Sequence, residues 1–386
     1  MLKFKGDGSP SDMRRRPLQT IFLGCALGVA SVAVSAGAAV DCPLRDAKYS
    51  VESPLVDVLL KPEAKVIVAN ELKAASRELP PQLDKTVAPT FAAIISVSDL
   101  VHMVQLDDSV TGKIDKQLRK LKVNDSDRVA RCARYDNERP EFDLPEEGRK
   151  VLIFHKINGF DHGPSVAAAT NAISSLAEQL GWSVAVTDKG GAFVPELLSQ
   201  FDAVVWNNVS GDVLTRSQRK AFEDYVNNGG GFIGIHGSGG DTIYLWDWYA
   251  NSLLGARFIG HPADPQFQNA RVKVEDSASG IGQSLKPGWM MKDEWYSFRE
   301  SARMKGADVI ATLDETTYLP FGRHGQDLRM GDDHPIVWTR CVGKGRAFYS
   351  AIGHRPEVYY VPENLVLLKS ALAWAGGADR QSCPAR

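Results

Sequence analysis

Residues 215–236 read TRSQRKAFEDYVNNGGGFIGIH. Two patterns meet in this stretch. Behind Thr215, a fair N-cap, Phe222, Tyr225 and Val226 form an apolar stripe at helical spacing. Gly229, Gly230 and Gly231 end the helix. Phe232 to Ile235 follow without a polar break, as a strand covered on both faces requires. That strand stops at His236. The same unit recurs to either side. Lys150 to Phe154 is a continuous apolar strand, and Pro164 to Leu180 is a helix with Val166, Ile173, Leu176 and Leu180 on one face. Trp182–Thr187 and Phe201–Trp206 read as further strands, and Thr242–Leu254 as a helix. Later strands are expected at Arg271–Glu275, Asp308–Leu313, Pro335–Thr339 and Ala347–Ile352, with a closing helix at Asn364–Trp374. The rhythm predicts an α/β fold: a doubly wound, flavodoxin-like, mostly parallel sheet with helices on both faces.

The rest of the chain sets bounds. It has 386 residues, 44% hydrophobic and 24% charged, which excludes collagen-like, coiled-coil and wholly disordered readings. Arg14-Arg15-Arg16 precede an uncharged run from Leu18 to Val40 with small residues at Ala36 and Ala38. This pattern predicts a signal peptide over residues 1–39, with Arg15-Arg16 resembling a twin-arginine signal, and hence an exported, periplasmic or secreted protein. Residues 1–40 carry five basic and two acidic side chains, leaving 40 basic against 45 acidic in the body. A mildly acidic body predicts no nucleic-acid partner and, once the signal is cleaved, no membrane partner. Four cysteines remain, and of the three possible connectivities we favour Cys42 with Cys132 and Cys341 with Cys383. Residues 40–145 read as a small helical domain of three or four short helices, residues 146–378 as the α/β domain, and residues 379–386 as a tail.

In a sheet of this kind, ligands bind beyond the carboxyl ends of the strands. His155, His162, His236 and His354 all fall at that edge. No His-x-x-x-His spacing occurs, so a divalent metal such as zinc would be held by ligands from separate loops: His162, His236, His261 and His354. His236 and His162 are equally candidates for acid–base work near neutral pH. Glu294, on the apolar stretch from Met290 to Phe298, is the leading carboxylate, as base or as ligand. Asp241 follows the glycine-rich turn after His236, and Asn207 ends the third strand; both are candidates for substrate binding. Trp248 and Tyr249 are candidates too, because aromatic faces pack on the C–H surface of a pyranose ring.

Six motifs resemble the ThuA-like, or trehalose-utilisation, family. They are Gly159-Phe160-Asp161-His162; Gly230 to His236; Trp248-Tyr249 with Gly255 to Phe258 and His261-Pro262; Asp293-Glu294-Trp295-Tyr296; Asp333 to Arg340; and Gly343 to Arg346 with Gly353-His354. The resemblance spans residues 150–377 and implies a class I glutamine-amidotransferase-like fold and a role in disaccharide catabolism, on oxidised (3-keto) sugars. His236 stands where the amidotransferases carry a nucleophilic cysteine, so glutamine hydrolysis is not expected. Two functions stay open at this point. One is an enzyme acting on keto-sugars or keto-glycosides by His/Glu acid–base chemistry, with or without metal. The other is a non-catalytic carbohydrate-binding or scaffolding protein. The expected partners are a small-molecule carbohydrate and, where the chain self-associates, further copies of itself.

Overall fold

The computed structural model describes residues 41–277, 279–377 and Cys383; the expected signal peptide and nearly all of the expected tail lie outside them. Residues 41–145 hold α1 (Leu55–Leu59), α2 (Pro62–Ala74), α3 (Val97–Met103), α4 (Asp108–Leu118) and α5 (Asp125–Cys132). Leu55, Val58, Leu72, Leu100, Ile114 and Leu118 make their common core. Reciprocal capping boxes start α3 (Ser96 with Asp99) and α5 (Asn124 with Asp127), each satisfying two otherwise orphaned amides. Five α-helices stand where three or four were expected. The additional helix, α5, carries no apolar stripe in its sequence: Arg131 lies 4.1 Å from the Tyr49 ring centroid, and Cys132 is bonded to Cys42.

From residue 150 the order is β1 (Lys150–Phe154), α6 (Pro164–Gln179), β2 (Ser183–Thr187), α7 (Pro195–Leu198), β3 (Ala203–Asn207), α8 (Arg216–Asn227) and β4 (Gly231–Ile235). Then come β5 (Phe258–Gly260), β6 (Phe267–Val274), β7 (Gly288–Glu294), β8 (Ser297–Phe298), β9 (Asp308–Asp314), β10 (Pro335–Val342), β11 (Gly345–Ser350) and α9 (Pro362–Ala375). Nine strands form one sheet in the order β2-β1-β3-β4-β11-β10-β9-β6-β7, and β5 pairs separately with β8. From β2 to β11 every pairing is parallel. This is the flavodoxin order, with its switch point between β1 and β3. α6 packs with α9, and α7 with α8, around these strands.

The remaining four strands are an antiparallel wing. Their burial explains the difference. β3 and β4 are buried at every position, whereas β6 and β7 alternate between buried and exposed, because one face of the wing meets solvent. The expected helix over Thr242–Leu254 shortens to a π-helical segment, Trp248–Leu254. Ahead of it, the Thr242 side chain bonds the carbonyl of Ile94 instead of capping a helix.

The helical block and the sheet are tied together by backbone amides and a buried asparagine. Thr90 N donates to Asn158 O (3.0 Å), Asn158 Nδ2 to Arg134 O (3.1 Å), and Arg216 N to Asp41 O (3.1 Å). Cys42–Cys132 and Cys341–Cys383 are both disulfide-bonded, the two favoured pairs, which fits an oxidising compartment. No helix of the described residues is long and apolar enough to cross a membrane.

Candidate active site

β4 and β11 run side by side and parallel, with Ile235 opposite Ser350. Both strands therefore leave the sheet at one edge, where His236 follows Ile235 directly and His354 comes four residues after Ser350. His236 has φ 39°, a left-handed conformation that costs a non-glycine residue about 1–3 kcal/mol. Its ring is fully buried and stacks on Tyr296, centroids 4.2 Å apart. Nδ1 lies 2.7 Å from the carbonyl oxygen of Ala351. A carbonyl only accepts, so Nδ1 carries the hydrogen and the Nε2 lone pair points outward.

That lone pair faces His354 Nδ1 at 3.3 Å. Two nitrogens bound to one tetrahedral zinc at about 2.0–2.1 Å stand roughly this far apart. Glu294 Oε2, at the end of β7, completes a triangle: 3.0 Å from His354 Nδ1 and 3.4 Å from His236 Nε2. His162 comes from the loop between β1 and α6. Its ring meets those of His236 and His354 edge-on at 5.0 and 4.9 Å. One nitrogen from each of His162, His236 and His354 lies within 4.8 Å of the others. His162 Nδ1 is buried with no hydrogen-bond partner among the described residues. Gly237 makes room for it, since a Cβ there would stand 2.7 Å from His162 Cε1.

Electrostatics follow from burial. Desolvation, then the neighbouring His236 and His354, push His162 well below the ordinary histidine range, so it is neutral. Burial opposes ionisation of Glu294, but the imidazoles of His236, His354 and His261 packed around it outweigh burial and hold its carboxyl well below the usual range. His261 sits on the other carboxylate oxygen, Nδ1 3.4 Å from Oε1, beside Gln266 Nε2, which donates to that oxygen. His261 Nδ1 is also 2.8 Å from the carbonyl oxygen of Pro262, which fixes that nitrogen as the protonated one.

Asp293, the first residue of the Asp293–Tyr296 motif, acquires a role only in the folded site. It is fully buried, and its two oxygens accept from the amides on either side of His354: Gly353 N at 2.7 Å and Arg355 N at 3.0 Å. The signal was a second acid beside Glu294, on a strand end buried on both faces. His334 is fully buried behind the site, with Nε2 donating to Tyr296 O at 2.9 Å and Nδ1 2.7 Å from Glu315 Oε1.

Four expected substrate contacts lie elsewhere. Trp248 stacks on Trp246 (5.4 Å), and Tyr249 stacks on Trp206 (4.8 Å) with its hydroxyl on Ser238 O, so both pack the core. Asn207 Nδ2 donates to Val166 O and Thr170 Oγ1, both at 2.9 Å, binding β3 to α6. Asp241 accepts from Ser210 Oγ and Gly211 N, both at 2.7 Å. Of the expected metal ligands, His261 stands outside the three-histidine group, across Glu294.

Asp241 makes a testable pH effect. Burial pushes its carboxyl up to about 7 from an ordinary value of 3.8. Between pH about 4 and 7 the native state therefore holds a proton that the unfolded chain has lost, so stability falls as pH rises through that window, by up to about 4 kcal/mol. Urea unfolding at pH 4.5 and 7.5 checks this, with Asp241→Asn expected to flatten the difference.

The fold and this edge define an α/β protein of the flavodoxin and glutamine-amidotransferase type with an imidazole cluster at the carboxyl ends of its strands. The chain belongs to the ThuA family, described as trehalose utilisation, whose model matches residues 150–375. That membership ties it to sugar utilisation. Among solved structures it is similar to a ThuA-like protein from Bacteroides uniformis, at 25% identity over 61% of this chain and 94% of that one, TM-score 0.51. It is also similar to a ThuA-like protein from Parabacteroides merdae, at 18% identity over 62% and 94%, TM-score 0.45. No curated protein matches the chain.

Proposed function

We propose that this is an exported enzyme acting on a keto-sugar or keto-glycoside, with a divalent metal such as zinc held by His162, His236 and His354. The observation that carries the proposal is the convergence of those three imidazoles, from three separate loops, on one another, with Glu294 against two of them. The donor set fits: His162 is neutral, and its buried Nδ1 is unpartnered. His236 directs its Nε2 lone pair at His354 and Glu294. A divalent ion supplies positive charge that polarises a carbonyl oxygen.

A ring carbonyl acidifies the neighbouring C–H. In this reading His261 takes that proton on Nε2 and the bonding pair moves into the enolate. His261 is a third exposed, and its tautomer leaves the Nε2 lone pair outward. Glu294, the base favoured by sequence alone, is held too acidic by its imidazole neighbours to be a strong one. Its charge instead steadies the imidazolium formed on His261 and orients His354. Asp293 fixes the backbone that carries His354.

The test is incubation of the purified protein with 3-keto-trehalose and simple 3-keto-glycosides, with and without chelator, followed by NMR, alongside metal analysis by emission spectroscopy. Stoichiometric zinc and chelator-sensitive turnover are expected. Saturable sugar binding with every substrate unchanged would leave a carbohydrate-binding protein in place of an enzyme.

A further inference from the structure

We infer that Phe160 is the platform on which a sugar ring rests beside the histidines, and that the N-terminal helical block holds it in place. The inference rests on the sugar reading above. Phe160 is a large apolar side chain left 39% exposed, 4.9 Å from the His162 ring and 6.0 Å from that of His354. A second ring, Phe267, lies 4.9 Å from His354. An exposed apolar face beside polar nitrogens suits a ligand that is itself apolar on its faces and polar at its rim. A pyranose has that chemistry: axial C–H groups pack on aromatic carbon while its hydroxyls stay hydrogen-bonded. Trp248 and Tyr249 are unavailable for this, being committed to the core.

The helical block meets Phe160 from behind. Phe91 packs edge-on against it, centroids 6.4 Å apart at 85°. Thr90 caps the turn Phe91–Ala93 and donates its amide to Asn158 O. At Gly159 the two parts approach so closely that a Cβ would stand 2.4 Å from Ile94 Cγ2 and 2.5 Å from Ser210 Oγ. The Phe160 amide donates to that same Ser210 Oγ at 2.9 Å, and Ser210 Oγ donates to Asp241. The exposed ring is thus mounted on backbone fixed from the sheet and from the block. Pre-ordering of this kind removes an entropy cost from ligand binding. The block lies outside the family match, which begins at residue 150, so it supplies this chain's site with support from beyond the shared fold.

Titration calorimetry of the full chain with trehalose as probe, with zinc content measured in parallel, tests both parts. Phe160→Leu, which keeps apolar bulk without the ring, should weaken trehalose binding about tenfold, and Phe160→Tyr should restore it to within about twofold. Phe91→Ala should weaken binding about threefold, and Phe91→Tyr should rescue it. Zinc content should match wild type in all four. Wild-type affinity in Phe160→Leu overturns the platform. Wild-type affinity in Phe91→Ala, with weakened Phe160→Leu, overturns the supporting role of the block. A wild-type chain that binds zinc but not trehalose overturns the sugar platform and leaves the metal centre standing. A chain that binds trehalose without zinc, with Phe160→Leu weakened, supports the platform and overturns the metal-dependent reading.

Discussion

His236→Ala protein purified from zinc-supplemented medium is expected to emerge without bound metal and without turnover of 3-keto-trehalose. The wild-type imidazole sits at the meeting point of the cluster, with its tautomer set by Ala351 and its ring pressed against Tyr296. Loss of an outer partner of a metal ligand already costs roughly 10–100-fold in affinity, and loss of the ligand itself should cost more. The informative comparison is with His236→Gly. Residue 236 has φ 39°, where any Cβ is strained. The glycine variant should therefore be the more stable of the two by about 1 kcal/mol in urea unfolding. Equal stabilities would mean that the backbone there is relaxed, and retained zinc would remove His236 from the ligand set.

His261→Gln should separate proton transfer from metal binding. Zinc should stay at the wild-type level, because His261 stands across Glu294 from the three-histidine group. Turnover should fall by about 10²–10⁴, the usual contribution of a positioned general base. The amide keeps the approximate shape and polarity of the side chain, so a large loss would not be a packing effect. NMR progress curves and emission spectroscopy on one preparation check both halves. A variant that sheds its zinc would make His261 a ligand, as its sequence context first suggested, and would leave the base to be sought elsewhere.

Much of the sheet was legible because burial on both faces writes itself into sequence. β1, β3 and β4 are near-continuous apolar runs, and α8 starts behind Thr215, the expected N-cap, which forms a capping box with Gln218. His162, His236 and His354 were legible as a set because parallel strands deliver their carboxyl ends to one edge. The losses have physical causes as well. Trp248 and Tyr249 look alike whether they stack on a sugar or on Trp246 and Trp206, and residue type does not distinguish the two. Asp241 and Asn207 gave the polar residues expected near a ligand, but both are consumed by loop amides, hydroxyls and a helix carbonyl. The pairing of His261 with Glu294 depends on how the loop after β5 folds back over the end of β7, which no local pattern encodes. α5 is held by a guanidinium over a ring and by a disulfide, and neither produces hydrophobic periodicity.

The pairing of Ile235 with Ser350 has a consequence for how such proteins can change. Because ladder hydrogen bonds set the separation of neighbouring strands at about 4.8 Å, the main chain fixes the gap between the two strand ends from which the loops bearing His236 and His354 depart. Side chains around it can drift through many substitutions without disturbing that gap. A single residue inserted or deleted at the end of either strand cannot be absorbed in the same way, since it would displace the backbone that carries one ring by about 3.3 Å. Lineages of this fold should therefore tolerate point changes near the cluster far better than length changes in those two loops.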